Sequence, residues 1–452
     1  MLGLFKNAVK GKEEKKRYVI SSFGEETGAG VLTPASYKNC DCRGGILRGG
    51  IGLKKCLDEN GEHLEMGMNV NSSVPRAFFV TINSDGVQMN TKAVYLVGVD
   101  GYLYMRLDNG NSWKRVHVGT NVEHSAMKSE DRIIYNFFCG DTSVYGTTNG
   151  STMTSIVSVD NAGACVCKKR YFILTRNGEL LYTSALNPYE EYSDDPDGAG
   201  AIYLPVKYGA PVGVKEFKGK VYIFFEKGIC KLTVASAVAE STLEEVGYHG
   251  GTICLRAQAI TSKGILFLAS EGAYYLRNDR VERVCEHLPI GPCAADSNCG
   301  VGYCDELVIF SYRKEGGAQK RLVLYDDGKS GYFTEDYGSL SGNEYTYLNG
   351  KFYLFAKDNE EIIRKQQPSF SSKEIALESQ KNKRLKRLLL KGEGSVTVGV
   401  QSGERERKYS LVFHNGVART RLLDRGKEFI LHFYLDAGSF VSGAEIEYVT
   451  GE

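Results

Sequence analysis

Only one tryptophan occurs in 452 residues, and neither sign of charge prevails: 56 Lys+Arg against 55 Asp+Glu leave a formal net charge of +1. That balance excludes a global field drawing the chain to nucleic acid or to an acidic membrane surface. No window approaches the roughly 18 apolar residues of a spanning helix, so no membrane insertion is expected. The opening stretch "MLGLFKNAVKGKEEKKRYV" has neither the apolar core nor the small-residue cleavage site of a secretory signal. The expectation is a soluble protein made in the cytoplasm. Long helical periodicity is scarce, and residues 371–389, with a polar first half, are the best helix candidate. Gly-x-Ser-x-Gly, a Gly-Lys-Ser/Thr phosphate loop and a dinucleotide fingerprint are all missing. No enzyme activity and no cofactor are therefore expected.

What is present is glycine and aromatic residues, 52 Gly with 28 Tyr and 20 Phe, the composition of many short strands joined by tight turns. One unit recurs: a short apolar-aromatic strand, a glycine turn, a second such strand and a looser return. Its clearest copies are "RYFILTRNGELLYTS" (170–184), "GKVYIFFEKGICKLTV" (219–234) and "GILFLASEGAYYLRNDRVERV" (264–284). Reversal with φ > 0 is expected at Asn177-Gly178, Lys227-Gly228, Glu271-Gly272 and Asn278-Asp279, and Asp100-Gly101 is a further hairpin signal. Hairpins returning every ~40–50 residues predict a radial all-β array, a β-propeller of six or seven blades with seven preferred. A small C-terminal β-sandwich-like domain follows, in which Val396, Val398 and Val400 alternate with other residues, as do Phe429, Leu431 and Phe433. The expected organisation is a flexible arm over 1–16, a propeller over 17–365 whose last blade N-terminal strands complete, a linker over 366–382 and the β-domain over 383–452.

Twelve cysteines without an export signal read as reduced thiols, several inside strands (Cys139, Cys230, Cys254). Cys40-x-Cys42, Cys165-x-Cys167 and the run Cys285, His287, Cys293, Cys299, Cys304 lack the paired spacing of structural zinc, so no metal is expected. Asp194, Asp195, Asp197, Asp326 and Asp327 sit in Gly/Pro-flanked clusters and read as turn residues rather than paired catalytic acids. His124, beside Glu123, reads as a satisfied histidine. Tyr102, Tyr104, Tyr274, Tyr275, Tyr345 and Tyr347 could make a stacking platform, but tyrosine at strand spacing reads first as packing. The basic stretches 10–17 and 381–391 read as solvated charge. Lys383, Arg384, Lys386, Arg387 and Arg425 are nonetheless the candidates for a subunit contact or a DNA-facing patch.

The run "KKRYFILTRNGELLYTSALNPYEEY" (168–192), then "IYLPVKYGAPVGVKEFKGKVYIFFEKGICKLT" (202–233) and "EEVGYHGGTICLRAQAITSKGILFLASEGAYYL" (244–276), resembles tail propellers of short-tailed bacteriophages, the packaged-DNA stabilisation, tail hub or nozzle proteins. The C-terminal segment from "KRLKRLLLKGEGSVTVGVQSG" to "GAEIEYV" is similar to the β-domain that often closes such chains. The tryptophan usual after the Ser…Asn-Pro box is replaced here by nothing nearer than Tyr192. The resemblance covers about residues 165–452. It implies a virion protein of the tail or head–tail connector, forming a homo-oligomeric ring, six-fold in similar proteins. Such a ring continues the DNA channel, helps retain packaged DNA before ejection and joins portal or adaptor proteins to fibres or a needle. Near-neutral charge suits a conduit, since strong phosphate binding would impede DNA passage. The alternative is a glycan-binding or glycan-cleaving receptor-recognition propeller of a tail. A cellular protein-interaction propeller is disfavoured because WD and kelch signatures are missing.

Overall fold

Local turn chemistry sets the hairpins. Asn278 and Asp279 take φ 48° and 61°, and Gly178 takes φ 89°. These are the left-handed conformations a tight reversal needs and that Asn, Asp and Gly adopt most readily. Lys227 and Gly228 reverse the chain without a left-handed residue. There the glycine answers to packing, because a Cβ on Gly228 would lie 2.3 Å from the Tyr208 ring. Conversely, Lys168 and Lys169 take φ 47° and 62°, a left-handed pair that lysine composition does not announce.

The computed structural model describes residues 15–24, 29–50, 52–55, 76–84, 87–97, 102–107, 114–118, 122–129, 133–149, 152–189, 198–286, 288–295, 299–304, 306–317, 319–334, 344–348, 351–355, 359–363, 369–377 and 380–450. Expectations for most of the N-terminal arm, for Asp100-Gly101, for Asp194, Asp195 and Asp197, and for His287 fall outside them.

The chain folds into two units, one formed by residues 53–362 and one by the segments before and after it. The first is a β-propeller of seven four-stranded antiparallel sheets. The blades begin at Arg76–Ser84, Glu123–Lys128, Asn161–Cys167, Pro211–Phe217, Ile253–Ile260, Gly300–Cys304 and Glu344–Leu348. From the second blade to the seventh these first strands meet in turn; Arg76–Ser84 meets Ile134–Cys139 of the second blade and Glu344–Leu348 of the seventh, so the ring closes. Closure uses the chain's beginning: Gly52–Lys55 is the fourth strand of the last blade, beside Asn359–Ile363. Pairing that edge removes an open ladder that would recruit other chains.

Packing explains the continuous apolar runs. A sheet covered on both faces is apolar on both faces, and the second strands Arg170–Thr175 and Ile265–Ala269 are buried throughout. Side chains alternate between neighbours. Ile223 and Phe225 join Phe172 and Leu174 of the third blade, while Tyr222 and Phe224 join Phe267 and Tyr274 of the fifth. Phe137 stacks on Tyr171 at 4.1 Å between the second and third blades. Tyr274 and Tyr275 are buried and serve packing. Outer strands such as Thr242–Val246 and Arg280–Val284 are mostly open to solvent.

The second unit packs a seven-stranded sheet on a five-stranded one. Leu385, Leu388 and Leu390 of the first meet Val396, Val398, Val400, Leu431 and Phe433 of the second in one core, and Phe23 stands edge-on to Phe370 and Phe433 at 5.7 and 5.4 Å. The expected domain boundaries need correction here. Lys15–Ile20 pairs along residues 444–449, and Pro34–Lys38 pairs with Ser369–Ser372. Residues 17–24 and 29–50 thus belong to this sandwich and not to the propeller, and part of the expected linker is a strand. The reason is burial: Ile20, Phe23, Leu32 and Leu47 find their apolar partners in this core. Residues 371–389, only a candidate for a helix because of their polar first half, contribute instead to Ser369–Ser372 and Lys383–Glu393, whose buried and exposed residues alternate on a strand period.

Candidate binding site in the central channel

The first strands of blades two to six line an open cavity of about 460 Å³, whose polar lining includes Glu123, His124, Lys215, Glu216, Arg256 and Gln258. Three of these strands carry a register shift near their start, between Asn161 and Gly163, Pro211 and Gly213, and Ile253 and Gln258. Such bulges re-aim side chains. The two glycines make room for neighbouring blades: a Cβ on Gly163 would come 3.0 Å from Glu123 Oε2, and one on Gly213 would come 2.0 Å from Gln258 Oε1.

Glu123 ties three blades together. Its Oε1 accepts from Lys215 Nζ at 3.0 Å and its Oε2 from the Ala164 N–H at 3.3 Å. Burial pushes this carboxyl up. The Lys215 ammonium, the nearby Arg256 guanidinium and the Ala164 N–H outweigh burial and hold it below its ordinary value. Burial lowers His124 to about 4 against a hydrogen bond with Asn136 Oδ1 at 3.0 Å, so it is neutral at pH 7. Glu216 Oε1 accepts from the Gly219 N–H at 2.6 Å.

Arg256 is only 3 % exposed and sits at φ 55°. Its Nη2 reaches Asn161 O at 3.4 Å, while Nε and Nη1 have no partner. Gln258 donates through Nε2 to Cys254 O at 3.1 Å, and its buried Oε1 accepts nothing. Cys165, which also lines the cavity, is pushed well up by burial, as is Cys139 to about 12, so both are thiols and poor nucleophiles at neutral pH. The arrangement is one of fixed charges and unanswered hydrogen-bonding groups. Sequence reasoning reached Glu123 and His124 only as neighbours and missed Lys215, Arg256 and Gln258, because residues scattered over three blades converge only in the closed ring.

The five basic residues named from the sequence do not share one environment. Lys383 needs correction as a surface contact: it is 2 % exposed, its ammonium donates to Lys427 O at 2.8 Å, and burial lowers its pKa. Lys386 occupies a bulge between Leu385 and Arg387, half-buried, with its carbonyl accepting from Leu422 N at 3.1 Å. Arg384 and Arg387 are exposed, standing opposite the exposed Arg425 and Arg421. Arg387 is flanked on its other side by Glu447, which pairs with Lys15 at 3.2 Å. With Arg419, this outer sheet face carries a strip of arginines on adjacent strands.

Of the other candidates, Asp327 Oδ1 accepts from Lys329 N at 2.8 Å, a turn role. Asp326 is buried and accepts from Ser262 Oγ and Lys263 Nζ at 2.8 and 3.0 Å. Cys40 donates to Ser369 O at 2.9 Å, a contact inside the sandwich. Among the described residues no group of three or more His, Cys, Asp or Glu is placed to hold a metal.

No family model and no curated protein matches this chain. Solved structures similar to it include a virginiamycin B lyase from Staphylococcus aureus, at 11 % identity over 64 % of this chain and 99 % of that one, TM-score 0.42. BamB from Moraxella catarrhalis is similar at 10 % identity over 74 % of this chain and 99 % of that one, TM-score 0.41. BBS1N, solved in complex with ARL6DN, is similar at 8 % identity over 66 % of this chain and 93 % of that one, TM-score 0.43.

Proposed function

We propose that this chain is a structural virion protein of a short-tailed phage tail or head–tail junction. It assembles as a homo-oligomeric ring, six-fold as the resemblance implies, that continues the DNA channel, helps retain packaged DNA and attaches further tail parts. The observation that carries the reading is the way the two units are joined. The chain passes between them twice, once next to Gly52–Lys55 and once next to Asn359–Ile363, and these two strands are neighbours in one sheet. A pull between the units loads two crossings and their shared ladder instead of a single tether, which suits a mechanical part. The exposed arginines 384, 387, 419, 421 and 425 supply a surface for an acidic neighbour or for passing phosphates without making the whole chain basic.

A ring of identical subunits is heterologous: a patch on one copy meets a different patch on the next until rotation closes the assembly. Electron microscopy of the purified protein tests this, with immunolabelling of phage particles. Closed rings and labelled tails are expected. A protein that stays monomeric at micromolar concentration and is absent from particles would refute the reading. Binding on a glycan array in place of ring formation would favour the receptor-recognition alternative.

A further inference from the structure

We propose that the channel cavity is a binding site for a small hydroxylated carboxylate, a molecule of the sugar-acid class, with its carboxylate on Arg256. The need for an anion comes from the guanidinium. Arg256 carries five N–H donors, one of which makes a 3.4 Å bond while Nε and Nη1 have no partner at 3 % exposure. Buried charges and donors are ordinarily answered, because one left without a partner forfeits its hydration with nothing in return. Glu123 attracts the guanidinium through space but makes no hydrogen bond to it; its oxygens accept from Lys215 and the Ala164 N–H. Among the described residues no carboxylate pairs with Arg256.

The hydroxyl function follows from an acceptor. Gln258, which lines the cavity, has its Oε1 buried without a donor, and a ligand hydroxyl is the group that would supply one. A single negative charge is favoured over two. The charged groups around the cavity are Glu123, Lys215, Glu216 and Arg256, with His124 neutral, so a dianion would face two carboxylates for two cations. The cavity, about 460 Å³, is at the small end of ligand sites. Arg256 is also held in a left-handed backbone conformation at φ 55°, which a non-glycine residue adopts only at a cost. Within a bulged strand that cost goes with aiming its side chain at the channel.

Isothermal titration of the full chain with glucuronate, gluconate, glucose 6-phosphate, inorganic phosphate and glucose tests the site. One-to-one saturable binding of a sugar acid is expected, with glucose at least about tenfold weaker for want of the carboxylate. Arg256→Met should weaken binding by about 30-fold or more, as truncation of a buried charged partner does, and Gln258→Ala by about fivefold. Should Arg256→Met not fold, Arg256→Lys keeps the charge but loses the planar fork, and the loss is read there. No saturable binding of either sugar acid, equal affinity for glucose, a preference for phosphate or the phosphate ester, or unchanged affinity in the folded Arg256 variant would each overturn the proposal. The titration is independent of ring formation, so the structural reading and this site stand or fall separately.

Discussion

Replacing Glu123 with Gln keeps the shape of the side chain and removes the charge that holds Lys215 and faces Arg256. Glu123 and Lys215 are 18 % and 17 % exposed, between a surface pair and a fully buried one. Exposed pairs contribute up to about 1 kcal/mol and breaking buried ones costs about 3–5 kcal/mol, so Glu123→Gln should cost about 2–3 kcal/mol. For a unit of this size that is about 2 °C per kcal/mol, a fall in propeller Tm of about 4–6 °C. Differential scanning calorimetry measures it. Adding Lys215→Met should return at least about 1 kcal/mol, because the stranded ammonium is then gone. Arg256 keeps the recovery partial. The sign with pH is also determined. The folded carboxyl lies below its ordinary value of 4.5, so the wild-type advantage is full above 4.5 and disappears as pH falls through the lower folded value. A single variant within about 0.5 kcal/mol of wild type, or a double variant no better than the single, would refute the view that this ion pair ties the second, third and fourth blades.

The thiols of Cys139, at about 12, and of Cys167 and Cys230, at about 11, are raised chiefly by burial, so native protein at pH 7.5 should react with iodoacetamide at these sites only after unfolding. Rapid labelling mapped to them by mass spectrometry would contradict their packing. Gly140→Ala should destabilise the propeller by more than about 2 kcal/mol, since its Cβ would lie 1.7 Å from the Val118 carbonyl oxygen and backbone must move; a melt unchanged from wild type would contradict that close approach. Asp279 resists burial by accepting from Tyr222, Lys231 and Lys220 at 2.7, 2.9 and 3.2 Å, which lowers it to about 2. With 34 % of its side chain exposed, it should contribute about 1 kcal/mol after screening. That contribution is present above 3.8 and lost as pH falls toward 2, and Asp279→Asn should flatten the acid limb of urea midpoints measured against pH.

The repeated hairpins were legible because turn chemistry is local: Asn177-Gly178 and Asn278-Asp279 can reverse the chain wherever they stand. The second strands were legible because a sheet covered on both faces writes an apolar run such as "YFIL" or "ILFL" into the chain. Lys168-Lys169 was not, since the two-residue loop between the paired Cys167 and Arg170 needs a left-handed pair that lysine does not prefer. Nor was Lys383, set in a run of basic residues that reads as solvent-facing, because an 11-residue strand with a bulge decides which face each residue takes.

Composition, turn residues and strand period by themselves determined an all-β chain of repeated hairpins followed by a small β-domain, since each depends on interactions within a few residues. Which strands share a core was decided only by the tertiary structure. Tyr18 and Ile20 look alike as members of a propeller or a sandwich strand, and their assignment rests on pairing with residues more than four hundred positions away. The same holds for the channel. Glu123, Lys215 and Arg256 are unremarked singly, and ring closure alone brings their charges close enough for desolvation and Coulomb attraction to act on them together.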